Sequence, residues 1–302
     1  MQKTESLQKA YLKIGFHTGG FNSAYVSFEK AVRWAKEHGV HGIECGFIHG
    51  AAWNHGLGYF PHIASWEDPR EIRGMLDRHG VELTQIDAAF PQSGMTGPSI
   101  GVPYVTEGIR WAALAGCPMV DTTDGLNKPS ELSEEEAMKQ MRRSYTRIVE
   151  TAERYGIVVT VETHGYFTAN PERMAEILSF ADSPFLKMTM DTGNVFIAGQ
   201  DPVKFLSRFL NRAGHVHIKD VAPTLSNTAR GQQTGIGMSH CSIGEGVNAQ
   251  NIRRCLELLR DHGFRGAVSL ECEAQGGPGM ERSLSWVRQV LKDLHIAHDL
   301  GS

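Results

Sequence analysis

No apolar stretch in the chain approaches the ~20 residues that a membrane-crossing helix requires, so no membrane partner is expected. Residues 1–12 carry neither the apolar run nor the small-residue cleavage site of a signal peptide. Blocks of basic charge are missing too. The 30 Lys and Arg are scattered among 34 Asp and Glu, with a formal charge of −4, which argues against a nucleic-acid partner. The five cysteines (Cys45, Cys117, Cys241, Cys255 and Cys272) are odd in number and form no C-x-x-C pair, so a disulfide framework is not indicated and a reduced, cytoplasmic protein is expected. No glycine-rich dinucleotide turn follows an early strand, because the glycines of 15–20 (GFHTGG) are wrongly spaced.

What is present is a repeating unit. Amphipathic segments end in similar phrases, at Gly39-Val40, Gly80-Val81, Gly156-Ile157 and Gly263-Phe264. A glycine just past a helix takes the left-handed conformation that closes it, and an apolar strand follows at once. Strands are predicted at 13–17, 42–47, 81–88, 118–123, 158–164, 185–191, 215–220 and 267–273. Helices are predicted at 28–38, 69–79, 103–115, 133–155, 171–181, 202–212, 248–262 and 281–295. Ser133 with Glu136 makes a capping box, and Pro171 and Pro202 suit first-turn positions. Eight strands alternating with eight helices imply a parallel sheet with right-handed crossovers, which closes as a single (β/α)8 TIM barrel spanning 1–302. Such barrels commonly run as one domain of roughly 250 residues. Residues 1–12 read as an N-terminal extension. The long Gly-, Ser- and Thr-rich loop 221–247 lies on the catalytic side, as either a lid or a tolerated insertion.

Glu162, Asp191, His217 and Glu271 each stand near the carboxyl end of one of the last four strands, where the ends converge on one mouth. Carboxylates set into a barrel wall are costly to bury alone, so they form ion pairs or hold a metal. A mostly acidic set at four successive strand ends lacks the cations for pairing. One divalent metal ion is therefore expected on these four residues, Mn²⁺ by preference, with Mg²⁺, Co²⁺ or Zn²⁺ compatible. Such an ion chelates adjacent sugar oxygens and acidifies the C–H between them by stabilising an enediolate. Glu162 and Glu271, from strands five and eight, then act as acid and base on opposite faces of the substrate carbon. His164 shares a strand face with Glu162 and is read as a substrate contact or proton carrier.

The order strand-five Glu, strand-six Asp, strand-seven His, strand-eight Glu resembles the xylose-isomerase-like superfamily of sugar isomerases and epimerases. The supporting phrases are 161–165 (VETHG), 190–194 (MDTGN), 215–220 (HVHIKD), 243–246 (IGEG) and 270–278 (LECEAQGGP), within a resemblance spanning about 13–295. The resemblance implies a (β/α)8 barrel, one metal on the four residues above, and enediolate proton transfer by Glu162 and Glu271, as in ketose 3-epimerases. Homo-oligomers, dimers or tetramers, are common among such relatives and are expected here. Two departures stand out. Asn194 occupies the position where several relatives carry a histidine, and the 3-epimerases' strand-seven arginine has no clear match, part of its role being open to Lys219. The abasic-site endonucleases of this superfamily use a three-zinc cluster with extra histidines, so Asn194 and the absence of a basic face argue against a nuclease.

His17, Glu44, Asn194, Lys219 and Gln275 are the expected substrate contacts, with Asp87 a weaker candidate. For His17 and Glu44 an internal hydrogen bond or ion pair is the competing reading, and for Lys219 a pairing with a neighbouring carboxylate. His49, His55 and His62 are too irregularly spaced for a metal site. The nearby Trp53, Tyr59, Phe60 and Trp66 suit a pocket wall or a dimer contact. The leading function is a metal-dependent isomerase or epimerase of a sugar or polyol. If a leaving group lies β to the enolate, the same site becomes a lyase or dehydratase acting on an inosose or 3-oxo-glycoside. A sugar-binding regulator would have lost a ligand, and all four are present.

Overall fold

Short segments rich in Val, Ile and Leu become strands buried on both faces, as a parallel sheet inside a helical jacket requires. The computed structural model describes residues 9–22, 26–49, 61–125, 127–231, 237–272 and 276–301. Within them eight parallel strands form the barrel: β1 (Tyr11–His17), β2 (Gly42–Ile48), β3 (Glu82–Pro91), β4 (Met119–Thr123), β5 (Val158–Glu162), β6 (Leu186–Asp191), β7 (Ala213–Ile218) and β8 (Ala267–Leu270). Each pairs with its successor, and β8 pairs with β1, so the ring closes without an edge. The expected (β/α)8 TIM barrel is therefore the observed architecture.

The jacket consists of α1 (Phe28–Glu37), α2 (Pro69–His79), α3 (Val102–Ala115), α4 (Glu134–Tyr155), α5 (Pro171–Leu178), α6 (Pro202–Phe209), α7 (Ala249–His262) and α8 (Gly276–Asp293). The amphipathic spacing decides which face packs inward. In α4, Ala137, Met141, Tyr145, Ile148 and Ala152 are buried and the Glu- and Arg-bearing face is left to solvent. The capping box of Ser133 and Glu136 forms as predicted, and Gly80, Gly156 and Gly263 close their helices at φ of 67°, 67° and 75°. No helix among the described residues is long and apolar enough to cross a membrane. All five cysteines are buried.

Several boundaries differ from the prediction, for local reasons. Tyr11 and Leu12 belong to β1 rather than to an extension, because they pair with Ala297 and His298. Strand β5 stops at Glu162 instead of running to 164, where the chain turns over Asp124. Strand β7 stops at Ile218, since the next amide, that of Lys219, donates to the Thr192 hydroxyl at 3.0 Å. Helix α8 starts at Gly276 rather than 281, with Pro278 in its first turn. A six-residue helix (Thr192–Ile197) follows β6 at once, capped by Asp191. Another short helix (Pro223–Ala229) lies inside the loop 221–247. Both are too short to show a helical period.

Inside the barrel a polar layer takes the place of the usual branched aliphatics. The Gln85 amide donates to the Thr160 and Thr189 hydroxyls at 2.8 and 3.0 Å, and the Thr160 hydroxyl in turn donates to Asp121 Oδ1 at 2.6 Å. This layer underlies the carboxyl ends of β5 and β6.

Candidate metal centre at the barrel mouth

Glu162, Asp191, His217 and Glu271 come together. One ligand atom from each lies within 4.8 Å of all the others. Glu162 and Asp191 are the last residues of β5 and β6, His217 is penultimate in β7, and Glu271 follows β8. Asp191 has two tasks. Its Oδ1 accepts the Gly193 and Asn194 amides at 2.6 and 2.9 Å, capping the short helix 192–197. Its Oδ2 is buried without a hydrogen bond, as are Nδ1 of His217 and Oε2 of Glu271. That Nδ1 lies 3.1 Å from Glu271 Oε2 and 3.3 Å from Glu162 Oε1, without hydrogen-bond alignment. Orphaned buried polar atoms are costly, and three of them converging in a mostly carboxylate set match the coordination demands of a divalent cation.

The electrostatics agree. Burial and the charge of Glu271 push the Asp191 carboxyl well above its ordinary pKa. Burial works in the same direction on Glu162 and Glu271, but neighbouring cations overcome it. His164 and His217 hold Glu162 down to about 2, and Lys219 with His217 holds Glu271 well below the usual range. Burial disfavours charge on His164, yet the Glu162 carboxylate, 2.9 Å from its Nδ1, raises it to about 9. The cluster thus holds one carboxylate more than its own cations stabilise. A dication relieves that excess.

The other predicted residues divide into four groups. Lys219 and Asn194 enter the cluster: the buried Lys219 ammonium donates to Asn194 Oδ1 at 3.2 Å and lies 3.6 Å from Glu271, while the Asn194 amide reaches Glu162 at 3.3 Å. His17 stays at the rim, half-buried, its Nδ1 accepting the Gly19 amide at 3.0 Å. Glu44 does not face the mouth. It is sealed behind His217 with no exposed surface, 2.9 Å from His217 Nε2 and 3.2 Å from His215 Nε2. Alternation along β2 gives its face, but not what stands opposite. Gln275 lies outside the described residues, as do Trp53, His55, Tyr59 and Phe60. His62 is structural, accepting the Gly46 amide at 3.1 Å and donating to Asn22 at 2.9 Å. Trp66 is exposed.

Two residues that set the mouth were missed by sequence reasoning. Buried Asp124 accepts the Phe167 amide at 2.6 Å and the Thr168 hydroxyl at 2.7 Å, and Thr168 in turn accepts the His164 amide at 3.1 Å. A side chain at Gly165 would strike that carboxylate at 1.8 Å, so glycine is required beside His164. Asp220 accepts four backbone amides, those of Val221, Gly244, Gly246 and Asn248, at 2.8–2.9 Å. It ties the return arm of loop 221–247 to the barrel. The outgoing arm is fixed by Arg230, stacked 3.8 Å over Phe196, and by the Gly231 amide on Ile197. The spacing Gly244-x-Gly246 was the available signal for close backbone approach.

Comparison with known proteins extends the picture. A family model described as xylose isomerase-like TIM barrel matches residues 32–290. An inosose dehydratase of Clostridium botulinum is 23% identical over 176 residues, which cover 56% of this chain and 52% of that protein. The chain thus matches over about half the length of this relative. A solved D-tagatose 3-epimerase-like protein aligns with a TM-score of 0.74 at 22% identity, covering 94% of this chain and 98% of its own. The IolI protein, solved with a zinc atom bound, aligns at 0.66 and 15% identity, over 94% and 96%. At these identities the structures show a shared fold.

Proposed function

The chain belongs to the xylose isomerase-like TIM-barrel family, and from that premise we propose that it is a divalent-metal-dependent isomerase or epimerase of a sugar or polyol, moving a proton beside a carbonyl. The observation that carries this reading is the convergence of Glu162, Asp191, His217 and Glu271, with three of their buried polar atoms unsatisfied. Asp191 Oδ2, His217 Nδ1 and one carboxylate oxygen each of Glu162 and Glu271 would hold the ion. Three carboxylates and one imidazole favour Mn²⁺, with Mg²⁺, Co²⁺ and Zn²⁺ as competitors. When bound, a divalent ion polarises the carbonyl and acidifies the neighbouring C–H.

The chain's own residues make an unequal proton-carrying pair. Glu271, held ionised by Lys219 and His217, is ready to accept a proton from one face of the substrate carbon. Glu162 is ionised as well, but it shares a hydrogen bond with the protonated His164. His164 can therefore resupply Glu162 with the proton that is returned on the other face. Lys219, buried against Asn194 and Glu271, places a positive charge where oxygen gains negative charge. His17 at the rim completes the substrate wall, and Gln275 is kept as a proposed contact.

Elimination is the second reading, favoured by the inosose dehydratase relative and by His164, whose proton is available to a departing hydroxyl. That would make the chain a lyase or dehydratase of an inosose or 3-oxo-glycoside. A panel of ketoses, inososes and 3-oxo-glycosides with Mn²⁺ in D₂O, followed by NMR, separates the two. Isomerisation or epimerisation incorporates deuterium beside the carbonyl without loss of mass; elimination releases water or an aglycone. Glu162→Gln and Glu271→Gln should each abolish turnover, and retained activity in either removes that residue from acid–base duty. We further propose a single domain, a cytoplasmic location and a dimer or tetramer. Lid movement in the loop 221–247 would be restricted by the fastening of both its arms.

A further inference from the structure

His217 offers two nitrogens to two environments. Nδ1 faces Glu162, Asp191 and Glu271 and makes no hydrogen bond. Nε2 points into the barrel wall, 3.0 and 2.9 Å from the two oxygens of Glu44. Glu44 has no exposed surface, so water cannot replace this contact. Nε2 of His215 lies 3.2 Å from Oε2 of the same carboxylate and 2.8 Å from the Ser269 hydroxyl. An ionised carboxylate only accepts hydrogen bonds, so the ring nitrogen facing it carries the hydrogen. In the neutral ring that a metal requires, it is therefore the Nδ1 proton that leaves, and the lone pair opens on Nδ1, where the other carboxylates converge.

We infer that Glu44 is a positioning residue: it fixes His217 with hydrogen on Nε2, so that Nδ1 stays open to a divalent ion. The inference rests on the metal reading proposed above. Without Glu44 the ring is free to carry its hydrogen on Nδ1 and to hydrogen-bond Glu271 or Glu162, which blocks the ion. Outer-sphere carboxylates of this kind typically contribute ~10–100-fold to metal affinity. Glu44, His215 and His217 also bring ligand atoms within 4.8 Å of one another and form a rival second site. Filling both sites at once would need His217 to bind through both nitrogens, as an imidazolate, and an ion at the rival site alone would displace the Nε2 hydrogen.

Calorimetric titration with Mn²⁺ and ¹⁵N NMR of the imidazoles form the test, with thermal unfolding to check that the variants fold. One Mn²⁺ per chain is expected for the wild type. Glu44→Gln keeps an acceptor oxygen and should bind ~10-fold more weakly, whereas Glu44→Leu should approach ~100-fold. A slowly exchanging Nε2–H proton on His217 is expected with Zn²⁺ or without any ion, and Glu44→Leu should lose it. Wild-type Mn²⁺ affinity in a folded Glu44→Leu overturns the inference. So do two ions per chain with one lost in Glu44→Gln, or a wild type that lacks the Nε2–H signal. If Glu44→Leu does not fold, the wild-type and Glu44→Gln signals decide. A wild type that shows the Nε2–H signal but binds no divalent ion refutes the metal reading and leaves the Glu44–His217 bond standing.

Discussion

Replacing Asp191 separates the proposed ligand duty from structural duty, because its two oxygens have different surroundings. Oδ1 caps the helix 192–197 through the Gly193 and Asn194 amides; Oδ2 is buried, unpartnered and aimed at the other ligands. Asparagine at this position must keep its oxygen on the cap, since only oxygen accepts the two amides. Its NH₂ group then points into the cluster, where Glu271 Oε2 is available as an acceptor. In the metal-free protein Asp191→Asn removes a carboxyl whose ionisation burial and Glu271 oppose, so unfolding should occur at the wild-type temperature or above it. Asp191→Ala loses the cap and should cost about 1–2 kcal/mol. At roughly 2–4 °C per kcal/mol for a chain somewhat smaller than this one, that lowers the midpoint by several degrees at most. Both variants lack the Oδ2 ligand, and both should bind Mn²⁺ at least ~100-fold more weakly, about 2.7 kcal/mol. Calorimetric unfolding without metal and Mn²⁺ titration provide the two readouts. Wild-type Mn²⁺ affinity in Asp191→Asn, or metal-free destabilisation equal to that of Asp191→Ala, would refute the division of labour.

Three more expectations concern the surroundings of the site. His164 in metal-free protein should titrate near 9 by NMR, and Glu162→Gln should bring it below its ordinary value, because burial and the Lys219 charge then outweigh the pull of Glu271. Folded His164 holds its proton more tightly than the unfolded chain does, so this pair stabilises the metal-free fold fully below pH 6.5 and the stabilisation, about 3 kcal/mol, is lost as pH rises through 9; a flat stability profile from 6.5 to 9 counts against it. His62 works on the acid side, with burial depressing its pKa to about 3, so its contribution is present above 6.5 and fades as pH falls, by about 3 kcal/mol at pH 4.5; His62→Gln should flatten that slope in denaturant titrations. A Cβ at Gly193 would sit 2.5 Å from Lys219 Cγ, so Gly193→Ala should displace Lys219 and cut turnover at least ~10-fold at a stability cost of about 1–3 kcal/mol, and unchanged turnover would free Lys219 of any role.

The residues legible in the sequence and those that were not differ in a physical way. Glu162, Asp191, His217 and Glu271 each announce themselves locally: a polar side chain near the carboxyl end of an apolar run, which the parallel barrel topology carries to one mouth without further information. The helix ends are legible for the same reason, as Gly80, Gly156 and Gly263 act within a few residues of the chain. Glu44 is the counterexample. Its alternation on β2 correctly turns it inward, but whether an inward carboxylate meets solvent or a histidine depends on strand stagger and on a partner 173 residues away. Asp124 and Asp220 are harder still, because Asp220 spends its acceptors on backbone amides and Asp124 on one amide and the Thr168 hydroxyl, which no strand pattern encodes; only Gly165 and Gly246, stripped of Cβ where a carboxylate comes close, leave a trace. The proposed ligands to an ion are thus written along the strands, while the groups proposed to hold them in place are written across them. Glu44 therefore reads as a substrate contact in one dimension and as the hydrogen-bond partner of His217 in three.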